Sequence, residues 1–129
     1  MTIAESLLRE LENEAKTTRR VLERVPADKL AWKPHEKSMS LRKLAQHVAQ
    51  TPGSIASSSI PDSYPVENFK PEPDPANVAE ILEAHEASMT AARSMLAELD
   101  EARAMATWSM LGLELRGVVE TLRVRRRST

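Results

Sequence analysis

The chain has 129 residues, 41% of them hydrophobic, a formal charge of -1 and no cysteine, which is the size of one globular domain with a real core. Disulfides and thiolate chemistry are excluded, any metal would need His, Asp or Glu as ligands, and the near-neutral charge argues against a nucleic-acid binder overall. No apolar run approaches the roughly 20 residues of a membrane span, Met1–Glu5 does not open like a signal peptide, and a cytoplasmic protein is expected.

Trp32, Tyr64, Phe69 and Trp108 are the only aromatic residues, while Ala, Leu, Glu, Arg and Met are abundant, so the composition predicts an all-α protein. Residues 3–24 read as an amphipathic helix with Ile3, Leu7, Leu11, Ala15, Thr18 and Leu22 on one face. Glu14, at the edge of that seam, reads as a solvated helical carboxylate, and Pro26 ends the helix. Ser40 is placed to cap a second helix over about residues 40–50, in which Leu41, Leu44, Ala45 and Val48 recur at helical spacing. His47 sits beside that stripe, as either a satisfied core group or the first ligand of a metal site.

Thr51-Pro52-Gly53 predicts the end of the second helix. From Thr51 to about Asp74 the chain is rich in proline and serine and reads as a long connection, pinned by Ile60, Tyr64, Val66 and Phe69. A third helix starts near Asp74-Pro75 or at Asn77, where Asn77 and Glu80 form a candidate capping box, and it carries Val78, Ile81, Leu82, His85, Met89, Ala92, Leu96 and Leu99 on one face. Charge is uneven. Residues 1–110 hold 13 Lys/Arg against 17 Asp/Glu, whereas residues 111–129 hold five Arg against two Glu. The run Arg125-Arg126-Arg127 reads as a solvated end, with a nucleic-acid contact as the reading ranked last.

The stretch Trp32-Lys33-Pro34-His35-Glu36-Lys37-Ser38-Met39-Ser40-Leu41, followed by Leu44-Ala45-Gln46-His47-Val48-Ala49, resembles the DinB/YfiT-like family of metal-dependent enzymes. Thr18 to Leu30 and Ala106-Thr107-Trp108-Ser109-Met110 fit the same pattern, so the likeness covers about residues 1–110. The resemblance implies a single domain over 1–129, folded as an up-down-down-up four-helix bundle whose fourth helix is atypical or incomplete here. It makes the proline-rich connection a crossover between parallel second and third helices. It also implies a core or near-core place for His85, where related proteins tend to carry a bulky apolar group. Where such proteins often have Gly-Glu, this chain has Arg42-Lys43; two cations in a first turn oppose the helix dipole at about 0.3–1 kcal/mol each.

The activity implied is that of a metal-dependent hydrolase or thiol transferase acting on a small-molecule substrate, with zinc or nickel held by three histidines. One lies on the second helix, matched by His47, and two lie on the last helix as H-x-x-x-H. Residues four apart share a helix face, so two imidazoles there and a third from a facing helix can hold one ion and leave a position for an acidified water. This chain has no histidine after His85, and His35 sits in a loop before the second helix. The metal site is therefore expected to be degenerate, with binding weak or absent. The alternative is a non-catalytic helical module that dimerises or binds.

After Met110 the family likeness stops, and we expect a truncated or frame-shifted ending. Leu111, Leu115, Val118, Val119 and Leu122 form a short amphipathic stretch, weakened by Gly112 and Gly117 at up to ~1 kcal/mol each. Without that stretch a three-helix body leaves a bare groove that a second copy would cover, so a homodimer is the expected partner state.

Overall fold

Thr2-Ile3-Ala4-Glu5 is a capping box, and the first helix, α1, spans Ile3–Glu23. The Glu5 N–H donates to the Thr2 hydroxyl at 3.1 Å, and the Thr2 N–H donates to the Glu5 carboxylate at 3.0 Å, so two otherwise orphaned amides are satisfied reciprocally. A computed structural model describes residues 1–111. Three long helices dominate it: α1, α2 (Leu41–Ser59) and α3 (Val78–Glu98), with a one-turn α4 (Glu101–Ala104) behind them. The all-α class follows. The expected amphipathic stretch after Leu111 and the Arg tail lie outside the described residues.

Every amide in the first turn of α2 is satisfied. Leu41 and Arg42 donate to the carbonyls of Trp32 and Leu30, Lys43 donates to the Ser40 hydroxyl, and Leu44 donates to the Ser40 carbonyl. The loop ahead of the helix thus supplies the acceptors for the two amides that the Ser40 side chain does not reach; a capping-box Glu in place of Lys43 would serve a different donor, the Ser40 N–H. Asn77 caps α3 as expected, its side chain accepting from the Glu80 N–H at 2.9 Å. The Glu80 carboxylate, however, accepts from Ala76 at 2.7 Å, one residue earlier than a reciprocal box requires.

One expectation is corrected: α2 does not stop at Thr51-Pro52-Gly53 but continues to Ser59. An interior proline removes one helical hydrogen bond and crowds the carbonyl four residues back, at about 3 kcal/mol. The carbonyl left without its donor is that of Val48, and side-chain hydrogen bonds flank the break on either side. The Thr51 hydroxyl donates to the His47 carbonyl, and the Gly53 N–H donates to the Ser88 hydroxyl of α3 at 2.7 Å inside the protein. Beyond the proline, Ala56 and Ser58 are buried, so tertiary contact sustains what the local signal opposes. The connection is accordingly shorter than expected. It contains a three-residue strand, β1 (Ser63–Pro65), then a 3-10 turn (Val66–Asn68), before residues 69–75, which form no regular element. Of its expected anchors, Tyr64 and Val66 are half-buried while Ile60 is exposed; Tyr64 and Phe69 pair as tilted rings 4.7 Å apart.

Contacts between helices give the chain direction. Glu12 meets Arg93 and Arg19 meets Glu86, so α1 runs antiparallel to α3; Gln46 meets Pro73 and Gly53 meets Ser88, so α2 runs parallel to it. The connection is therefore a crossover and the order of the long helices is up, down, down. At one end, Leu22, Leu30, Ala45, Ala49 and Ile81 form the core, with Val25, Val78, Leu82 and Ala84 packed on it. At the other, the Ile3 N–H donates to Glu101 at 2.6 Å and the Trp108 indole N–H donates to the Ser58 carbonyl at 3.0 Å. A second strand, β2 (Ser109–Leu111), lies parallel to β1, Ser63 facing Ser109 and Pro65 facing Leu111. No periodicity in segments this short announces the pair. Among the described residues no helix is long and apolar enough to cross a membrane.

Candidate functional site

His47 projects from the outer side of α2, exposed, into a groove of about 580 Å³ between that helix and the crossover. Gln46, Gln50, Thr51, Ser54 and Ile55 form its floor, and Phe69, Lys70, Pro71 and Glu72 form its far wall. The prolines explain how the wall comes to be there. Pro71, Pro73 and Pro75 favour an extended backbone, and the Gln46 side-chain amide donates to the Pro73 carbonyl at 2.7 Å, fastening the returning chain to α2. The exposure of His47 removes the core alternative read from the sequence, and the sequence reading did not bring Lys70 and Glu72 to it; the proline spacing was the available signal.

The other two histidines go elsewhere. His35 lies in the loop before α2, its Nδ1 accepting from the Lys37 N–H at 3.2 Å. His85 is a core residue of α3, only 2% exposed, as expected, and its Nδ1 has no partner among the described residues. The three imidazoles thus occupy a loop, an outer face and the interior. No cluster of three His, Asp or Glu side chains able to hold a metal occurs among the described residues. The oxygen donors around His47 are the Glu72 carboxylate, the Gln46 and Gln50 amides and the Thr51 and Ser54 hydroxyls, which do not match a three-histidine zinc site. Glu14 is exposed, as read from the sequence.

Charged groups elsewhere act structurally. Arg93 donates twice to the Glu12 carboxylate across α1 and α3, the second bond 3.1 Å long. These hydrogen bonds draw the Glu12 carboxyl below the ordinary carboxylate range, and the same contact raises Arg93. The pair is solvent-exposed and contributes little beyond alignment of the two helices.

The chain matches the family model described as DinB superfamily over residues 10–122. The match runs on to residue 122, so the family likeness does not stop at Met110 as expected from the sequence. No curated protein and no solved structure matches the chain.

Proposed function

The chain belongs to the DinB superfamily, and from that premise we propose that it is a helical binding module for a small molecule, in which the metal-dependent hydrolase or thiol-transferase chemistry of the family resemblance has been reduced to the single ligand His47. The observation that carries this reading is the distribution of the histidines: all three in the chain lie on the described residues, on separate elements, and no second imidazole joins His47. A zinc or nickel ion needs several protein donors at about 2.0–2.3 Å to be retained. His47 alone gives weak binding or none. What remains is a groove with apolar surface from Ile55, Phe69 and Pro71 and polar groups from Gln46, Gln50 and Glu72, the composition of a small-molecule site.

Dimerisation belongs to the same proposal. Leu7 and Val21 on α1 and Leu44, Val48 and Ile55 on α2 are all more than two-fifths exposed. On each helix they lie roughly a third of a turn from the residues that meet α3, and we take the two sets as one flank that the described residues leave uncovered. A second copy would bury them. A cysteine-free chain suits the cytoplasm, the compartment we assign.

Zinc and nickel titration followed by thermal unfolding tests the reading, with wild type beside His47→Ala. We expect neither protein to gain stability. A saturable rise in wild type that the variant loses restores the enzymatic reading, since a ligand held by the folded state alone stabilises it by mass action.

A further inference from the structure

Arg42 and Lys43 stand where their charge opposes the dipole of α2, an arrangement that neither capping nor the His47 groove explains. The structure shows their surroundings. They line a second cleft, of about 540 Å³, together with Lys33, Lys37, Ser38 and Ser40; Asp74 is its one carboxylate. Lys43 reaches Asp74 only at 3.8 Å, and the Nε of Arg42 is shut off from solvent with no hydrogen-bond partner among the described residues. Four cations against one anion leave a strong local positive field in a concave site. The backbone amides of the helix start are already taken by Ser40, Trp32 and Leu30, so the attraction rests on side chains.

We propose that this cleft binds a small molecule through a phosphate or carboxylate group held by Arg42, Lys43, Lys33 and Lys37. Arg42 offers a planar fork suited to either anion, and the lysines act as point charges around it. An anion seated there would pair with the cationic side chains, of which only Lys43 has a carboxylate within 4 Å among the described residues. It would also turn two cations that oppose the helix dipole into a neutralised group that does not. The cleft shares only Met39 and Lys43 with the His47 groove, so the inference goes beyond the reading above and does not need His47.

Inorganic phosphate and citrate are titrated into the full chain, at constant ionic strength against sodium chloride, and followed by calorimetry and thermal unfolding. The expected result is saturable binding of at least one anion with a matching rise in melting temperature. In Lys43→Glu, Ser40 regains a capping-box partner, so that variant should melt higher than wild type while its anion affinity falls about tenfold or more, as expected for the loss of a charge-assisted contact. The double variant Lys33→Ser/Lys37→Ser should keep the wild-type melting temperature and bind more weakly; His47→Ala should bind as wild type does. The proposal is overturned if neither anion does more than chloride, if Lys43→Glu binds undiminished, or if His47→Ala loses the binding.

Discussion

The two sides of α2 follow opposite packing rules. Toward α3 it presents Ala45, Ala49, Gly53 and Ala56, all buried, and the helices approach so closely that a Cβ on Gly53 would lie 2.7 Å from the Ser88 Cα. Toward the flank it shares with α1 it presents Leu44, Val48 and Ile55, all large and all substantially exposed. Small residues thus occupy the seam, where shape complementarity between backbones decides the geometry, and large ones occupy the flank, where area waits to be covered. One helix can therefore be rigidly placed and still sticky.

That contrast can be broken most severely at Ile81, which is fully buried between α1 and α2. Ile81→Ala should lose about 2–5 kcal/mol in urea unfolding. Gly53→Ala comes next. Its methyl meets Ser88 backbone that cannot step aside, so we expect a net loss of about 1–3 kcal/mol even though alanine is the better helix former by about 1 kcal/mol. A Gly53→Ala protein of unchanged or greater stability would mean that the close seam does not hold.

The flank should respond in the reverse manner. Val48→Ser combined with Ile55→Ser should change the stability of the folded monomer by only about 0.5 kcal/mol per site, while sedimentation should shift from dimer toward monomer. Unchanged association would overturn the assignment of this flank as the dimer face.

The smallest effect concerns the α1–α3 pair of Glu12 and Arg93. The folded-state value of the Glu12 carboxyl is lowered, chiefly by its hydrogen bonds from Arg93, so its contribution is present above the unfolded carboxylate value and is lost as pH falls through the lowered one. Glu12→Gln should therefore melt slightly below wild type at neutral pH, and the two curves should converge in acid. Curves that stay parallel throughout would show that the carboxylate's charge does not align these helices.

Helix starts were the most legible part of the fold. Ser40 and Asn77 were readable because a cap is a local arrangement between a side chain and amides two or three residues on, and the face holding Ile81, His85, Met89, Ala92 and Leu96 was readable from its 3.6-residue period. Thr51-Pro52-Gly53 misled because its signal is local too. The proline penalty is real, but Ser88, distant in sequence, receives the Gly53 amide, and Ala56 is buried beyond the break. The candidate site was half legible. His47 stood out by residue type and position, while Lys70 and Glu72 reach the same groove only because the crossover folds back along α2.

By itself the sequence determined the helical class, the supply of three histidines with none after His85, and the pair of cations at the start of α2. These follow from composition and from interactions within a turn or two of the chain. Tertiary structure alone decided that α2 runs through its proline, that Gly53 touches Ser88, and that Lys33 and Lys37 share a cleft with Arg42 and Lys43. The first two depend on where a distant segment lies and the third on how the loop ahead of α2 folds back on its first turn, and an interaction of a few kcal/mol with a distant segment is enough to reverse a local preference of similar size.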